Sequence, residues 1–297
     1  MPAWTNCGGL PMTGREAALP RPARVAQVVQ ETAQVRRLVL DAQVEAEPGQ
    51  FLMLWLPGVD ERPFSLVSAK PITLLVSRVG AFTQALHGIQ EGDWLWWRGP
   101  LGHGFRLLGG AGCAEDGPSG WLLLVAGGYG VAPLFFLAQR ARAASWPVEI
   151  AIGARTQAEI LLSDELTALG CQVHTCTEDG SCGRSRSPRS GAPRGTRRRG
   201  GLVTQMVEQE LAASSSRPPA EQVHCVYGCG PQAMLDALRT LCGRYAVPCQ
   251  LSYEAVIKCA MGVCGSCARD GLLVCKDGPV LEWSPERPPN DRPLANL

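Results

Sequence analysis

Apolar positions in the first third of the chain fall in short runs broken by Gly, Pro and Asp. RRLVLDA (36–42), GQFLMLWLP (49–57), FSLVSA (64–69), ITLLVSRV (72–79) and DWLWWRG (93–99) have the length and the β-branched or aromatic content of strands. Strands this short and closely spaced predict a small β barrel between Arg24 and about Phe105. One short helix near Thr83–Gly88 interrupts them. From Trp121 the rhythm changes. The runs WLLLVAGG (121–128), VEIAIGAR (148–155), CQVHTCTE (171–178) and QVHCVYGCG (222–230) alternate with helix-length segments at 131–144, 157–169, 202–212 and 231–245. Such alternation predicts a parallel sheet with helices on both faces. The fold class expected is therefore a β barrel followed by an α/β domain.

Residues 120–139 carry no charge and approach the length of a membrane span. Gly127, Gly128, Gly130 and Pro133 divide the run, which is read as a buried strand, a turn and a helix, not a span. The stretch GRSRSPRSGAPRGTRRRGG (183–201) has almost no apolar residue and is expected to be a disordered surface loop. It is either a docking patch for anions or a tolerated insertion. The second is preferred, because loop closure entropy grows slowly with length. Residues 1–20 are read as a loose tail, and the proline-rich end SPERPPNDRPLANL as extended.

Length and charge narrow the function. A chain of 297 residues suits two or three domains. A net charge of +1 supplies no global field for nucleic acid or a membrane surface. No basic start followed by an apolar run marks a signal peptide, so the thirteen cysteines are read as thiols of a reducing cytoplasm and not as a disulfide scaffold.

Four of those cysteines stand apart. Cys259, Cys264, Cys267 and Cys275 are spaced C-x4-C-x2-C-x7-C. Plant-type [2Fe–2S] proteins use C-x4-C-x2-C with a more distant fourth ligand. Gly262 and Gly265 let the loop wrap closely, and Ala260, Ser266 and Ala268 keep bulk away. ARDGLLVC then reads as a tight hairpin turning at Asp270-Gly271, which returns Cys275 to the site. A zinc site with four cysteines is the alternative, but zinc ligands come as two C-x2-C pairs and only one is present. Cys225, Cys229 and Cys242 read as ordinary small buried residues.

Two glycine turns suggest nucleotide sites. AGGYGVAPL (126–134) follows a strand and opens a helix, so Gly128 and Gly130 would admit a dinucleotide, with Pro133 in the first helical turn. Gly228, Gly230 and Pro231 repeat the form at the last strand, where the plain alternative is a tight strand-to-helix turn. In the barrel, ERPFSL (61–66) sets an arginine beside a serine on a strand, a pair able to serve a phosphate and a polar ring atom. GAFTQAL (80–86) offers a second anion site at Gly80 and Thr83.

Taken in order, these motifs resemble the ferredoxin-reductase family of flavoproteins. They are most similar to the electron-transfer subunits of two-subunit, NAD-linked dihydroorotate dehydrogenases, over about residues 24–283. The resemblance implies a six-stranded antiparallel barrel binding FAD (21–110), a ferredoxin-reductase-type NAD domain (111–246, insertion at 184–199) and a small [2Fe–2S] subdomain with a tail (247–297). It implies that Arg62, Pro63, Phe64 and Ser65 bind FAD, Arg62 at the pyrophosphate and Ser65 near the flavin ring. Gly80 and Thr83 match the second pyrophosphate turn. GPLGHGF (99–105) closes the barrel, with His103 shaping the loop. Gly128, Gly130, Pro133, Gly228, Gly230 and Pro231 would bind NAD as co-substrate, and Cys259, Cys264, Cys267 and Cys275 the cluster. Glu178 and Asp179, if they face the adenosine ribose, would repel a 2′-phosphate and favour NAD over NADP. The gap before Cys275 is shorter than the family usually shows.

The function implied is an electron relay between NAD and a catalytic, FMN-containing dihydroorotate dehydrogenase subunit, in a two-plus-two heterotetramer serving UMP synthesis. No residue of this chain is assigned to pyrimidine chemistry. The same layout would serve a hydrogenase, a sulfide dehydrogenase or a ferredoxin:NAD oxidoreductase, because the partner carries the chemistry. A zinc-stabilised nucleotide-binding protein is the non-enzymatic alternative.

Overall fold

The computed structural model describes residues 19–107, 120–184 and 197–285. Six strands close a barrel: β1 (Arg21–Thr32), β2 (Val35–Leu40), β3 (Phe51–Leu56), β4 (Asp60–Ala69), β5 (Ile72–Ser77) and β6 (Trp94–Leu101). Their spatial order is β1-β2-β5-β4-β3-β6, and every pairing is antiparallel. Alternation builds the barrel core. Leu38, Leu52, Leu54, Leu74 and Leu95 are fully buried together inside it. Phe51 and Met53, at the alternate positions of β3, are also buried, against the cysteine-bearing segment. A short helix, α1 (Ala81–Leu86), plugs Phe82 and Leu86 into the barrel. Strand β1 is absent from the sequence-predicted set. It fully buries only Ala23 and Val25, so polar residues along both faces hide its period.

The second body is a sheet. Its strands are β7 (Trp121–Gly127), β8 (Val148–Ala154), β9 (Gln172–Thr177), β10 (Arg198–Gly200), β11 (Val223–Cys229) and β12 (Cys249–Ser252). Three short strands follow: β13 (Ala268–Arg269), β14 (Leu272–Leu273) and β15 (Val280–Trp283). Helices are α2 (Val131–Ala143), α3 (Ser163–Ala168), α4 (Val203–Ser214), α5 (Gln232–Arg244) and α6 (Val274–Asp277). Strand order is β10-β9-β8-β7-β11-β12-β15, with β13 and β14 forming a separate hairpin. Both faces are covered, as the alternation requires. Leu122, Leu124 and Ala126 pack with α2 and α3, while Leu123 and Val125 pack with α4 and α5.

Two features depart from expectation. The sheet is not wholly parallel: β15 pairs with β12 antiparallel. Both strands come from the segment assigned by sequence to the cluster, so that segment is woven into the sheet edge. The arginine-rich stretch lies mostly at 185–196, outside the described residues. Its end, expected as loop, forms β10 and pairs in parallel with β9. The backbone hydrogen bonds of an open sheet edge outweigh the low apolar content there. The expected tails fall outside the described residues, except Leu19, Pro20, Ser284 and Pro285. Among the described residues no helix is long and apolar enough to cross a membrane.

A polar clamp joins the bodies. Buried Gln250 accepts a hydrogen bond from Arg106 N–H (2.8 Å) and donates one to Arg106 C=O (2.7 Å). Tyr227 Oη donates to the same carbonyl at 3.0 Å. The GPLGHGF loop docks on the cysteine segment, with His103 N–H donating to Gly278 C=O at 2.6 Å.

Candidate functional site

On the barrel, Arg62, Pro63, Phe64 and Ser65 lie in the middle of β4. They pair with Leu54, Met53, Leu52 and Phe51 of β3. Toward β5, pairing begins only at Leu66, opposite Leu74. The edge from Asp60 to Ser65 is therefore open on that side, which is where a strand tolerates Pro63. Across the opening, Ser77 ends β5 with its hydroxyl buried and without a partner among the described residues. Such an orphan calls for a polar group from outside the chain. Phe64 and Phe82 approach with ring centroids 6.2 Å apart, so the Gly80–Leu86 turn flanks the same opening. Arg62 is half exposed and held by Asp60 at 2.5 Å. Thr83 Oγ1 accepts from the N–H groups of Val79 and Gly80 (2.9 and 3.0 Å) and donates to Gly80 C=O. Its hydroxyl is spent on shaping the turn.

The sheet presents its carboxyl edge next. Helix α2 packs on the barrel through Phe136, so the turn at its start belongs to an element touching the barrel. The two glycine turns press on each other. A Cβ on Gly130 would lie 2.1 Å from Cys229 C=O, and one on Gly230 would lie 2.9 Å from the Gly127 backbone. Gly228 is likewise enclosed, by Leu251 and Leu238. Gly128 differs: its φ is +53° and its missing side chain faces open space. Of the glycines predicted in these two turns, Gly128 leaves room for a ligand, Gly130 and Gly230 allow the turns to meet, and Gly228 lets α5 and β12 pack closely on β11. Pro133 is buried at the third position of α2, where its lost N–H costs nothing. Pro231 caps α5. Cys229, between the turns, is a buried thiol that desolvation pushes up to about 12.

Glu178 and Asp179 follow β9 at the same edge and are exposed. Asp179 binds Ser181 N–H (2.9 Å) and Oγ (2.7 Å), which fixes the turn. Arg155, after β8, is a residue the motifs did not reveal. It bonds Glu159 at 2.8 Å and lies near enough to Tyr129 and Glu178 to feel both. It stands in no repeated pattern, only at the end of a strand.

The cysteine-bearing segment packs on the outer face of β3 through Cys267 and Cys275. Cys267 and Cys275 are buried with Phe51 and Met53, whereas Cys264 is exposed and Cys259 partly so. They associate in two pairs. Cys264 N–H points at Cys259 Sγ and Cys275 N–H at Cys267 Sγ, both at 3.5 Å. Among the described residues no three His, Cys, Asp or Glu side chains converge as a single-ion site would need. Two pairs of thiols suit a two-iron group better than one zinc. N–H groups of Met261, Cys264 and Val263 hold Cys259 down at about 6, and the Ser266 hydroxyl lowers Cys264. Burial, reinforced by Cys267, pushes Cys275 up to about 11. Gly262 and Gly265 have φ of +79° and +70°, as a loop turning its amides inward requires. Asp270 and Gly271, both at positive φ, make the expected two-residue hairpin turn.

Comparison with known proteins agrees with this layout. Residues 254–284 match the iron–sulfur cluster binding domain of dihydroorotate dehydrogenase B, and residues 124–240 match an oxidoreductase NAD-binding domain. The chain is 36% identical over 276 residues to a Methanothermobacter thermautotrophicus protein named "probable dihydroorotate dehydrogenase B (NAD(+)), electron transfer subunit", covering 90% of each chain. A Methanocaldococcus jannaschii protein of the same name is 34% identical, covering 87% of this chain and 88% of its own. The fold is similar to that of the NADH-dependent reduced ferredoxin-NADP oxidoreductase, with a TM-score of 0.68 at 22% identity, over 88% of this chain and 87% of that one. It also resembles the ferredoxin reductase of carbazole 1,9a-dioxygenase, with a TM-score of 0.56 at 23% identity, over 76% and 65% of the two chains. At more than a third identity over nine-tenths of both chains, the chain belongs to the family of electron transfer subunits of dihydroorotate dehydrogenase B (NAD(+)).

Proposed function

We propose that this chain carries electrons between NAD and a catalytic dihydroorotate dehydrogenase subunit, through FAD and a [2Fe–2S] cluster, in pyrimidine (UMP) synthesis. The observation that carries the reading is the seating of the cysteine pairs. One pair is buried on the barrel wall against β3, the strand paired with Arg62–Ser65, and the other is partly or fully exposed. That order suits a relay from an interior donor to an external acceptor.

FAD supplies the conversion between a two-electron hydride and single electrons. The open edge of β4 and the orphan hydroxyl of Ser77 fit it. Arg62 would meet its pyrophosphate, exchanging the grip of Asp60. Pro63, Phe64 and Ser65 would line the ring side, and Gly80, shaped by Thr83, would leave space for the phosphates. For NAD, Gly128 leaves the approach clear. Gly130 and Gly230 bring the two turns together, Gly228 seats the second turn against α5, and Pro133 and Pro231 start the flanking helices. Glu178, with Asp179 bracing its turn, would bond the adenosine ribose and repel a 2′-phosphate. Cys259 and Cys264 would hold one iron, Cys267 and Cys275 the other, with loop amides stabilising the thiolates. The partner would be an FMN-containing catalytic subunit, two copies of each chain making the assembly, in the cytoplasm.

Co-purification with mass spectrometry of the companion chain, joined to anaerobic titration with NADH, tests this. The expected result is a dihydroorotate-oxidising partner, bleaching of a flavin band and a rhombic signal from a reduced two-iron cluster. A colourless zinc protein, or a companion with unrelated chemistry, would overturn it.

A further inference from the structure

Arg98 lies on β6, opposite Met53 of β3, in a run whose sequence suggests only a strand. It is 5% exposed, unusual for an arginine, and two of its three nitrogens have named partners. Nε donates to Glu61 Oε1 at 2.6 Å and Nη2 to Glu61 Oε2 at 2.9 Å. Nη2 also donates to the carbonyl of Cys259 at 3.0 Å. Glu61 precedes Arg62 on β4. One guanidinium therefore joins the strand that carries the flavin-site motif to the backbone of the first cluster cysteine.

The bonded carbonyl has a particular place. It belongs to the peptide between Cys259 and Ala260, and Ala260 has φ of +56°. A residue with a Cβ resists that conformation, so surrounding contacts must impose it. The same turn sends the following backbone back over Cys259, bringing Cys264 N–H to 3.5 Å from its Sγ. The carboxylate of Glu61 balances the guanidinium, so the pair can stay buried while one donor remains for the loop.

We propose that Arg98 is a positioning residue for the cluster loop, holding the Cys259–Ala260 peptide in the left-handed turn that aims the loop's amides at Cys259. The proposal rests on the reading that the four cysteines bind a cluster. Arg98 touches no sulfur and transfers nothing itself. Its effect passes through the amides, and hydrogen bonds to cluster sulfurs raise the reduction potential and retain the metal.

The test uses the holo chain with its native partner. Arg98→Gln should speed cluster loss to a chelator by roughly 10- to 100-fold. It should also lower the cluster's midpoint potential in an EPR-monitored titration, with flavin content unchanged. Adding Ala260→Gly, which accepts positive φ freely, should recover most of both losses in the R98Q background. Glu61→Gln loosens the guanidinium fork without removing it and should show the same signs in smaller measure; it carries the test if R98Q does not fold. Wild-type chelation rate and potential in R98Q, or a defect that A260G leaves untouched, would overturn the proposal. So would an E61Q chain indistinguishable from wild type when R98Q does not fold. A wild-type holo chain with no iron–sulfur signal would instead sink the underlying cluster reading.

Discussion

Gly130→Ala and Gly128→Ala separate packing from ligand access, two roles that one glycine motif conceals. A Cβ on Gly130 would sit 2.1 Å from Cys229 O, 2.5 Å from Cys229 C and 2.9 Å from Gly230 N. All three are backbone atoms at the end of a central strand, so no rotamer change relieves the clash. The turns must separate by about 1.3 Å to reach ordinary contact, and overpacking of this kind costs about 3 kcal/mol. At roughly 2–4 °C per kcal/mol for a body of this size, the melting temperature of G130A should fall by about 6–12 °C. Gly128 meets no atom within 4 Å, and only its φ of +53° opposes a side chain. That strain is about 1 kcal/mol, or roughly 2–4 °C. Its methyl would nevertheless stand where the dinucleotide approaches. Thermal melts followed by circular dichroism, paired with NADH titrations, read both quantities. G130A should be the less stable variant, and G128A should be nearly as stable as wild type but bind NADH more weakly. A G130A chain that melts with wild type would refute the argument that these turns press backbone to backbone.

Other outcomes follow from the same geometry. Serine at any of Cys259, Cys264, Cys267 or Cys275 should strip iron while sparing bound flavin, as metal analysis beside the visible spectrum would register. In the cluster-free chain, Cys259 is held at about 6 by loop amides, so its thiolate is present above that pH and disappears below it. Iodoacetamide mapping should find Cys259 labelled at pH 7 and spared at pH 5, whereas Cys171 and Cys229, raised by burial to about 11 and 12, stay unlabelled throughout. Glu178→Gln should raise turnover with NADPH several-fold relative to NADH; an unchanged ratio would remove Glu178 from the ribose site. Gln250→Ala leaves Arg106 N–H without its amide acceptor and its C=O with Tyr227 Oη alone, and a loss of about 1–3 kcal/mol should appear in denaturant melts.

Much of this protein is written locally. Strand, glycine turn and helix succeed one another within about twenty residues at Trp121–Arg140, so their periods and breakers reveal them. The Asp270-Gly271 turn and the cysteine spacing are equally short-range, which is why the hairpin and the thiol set were legible. Tertiary structure decided what depends on partners far along the chain. Strand β1 lacks a readable period and is defined by pairing with β2 and β6. Strands β12 and β15 join the sheet because β11 offers an edge, not because their residues announce it. Thr83 has the chemistry of an anion ligand, yet the nearest N–H groups claim its hydroxyl. Gly128 and Gly130 look alike in sequence, yet they differ in backbone conformation and in what lies opposite them. Arg98 is the extreme case, since its partners are 37 and 161 residues away. Propensity and periodicity record what a residue does to its neighbours in the chain; a directed hydrogen bond across the fold exists only once the chain has closed around it.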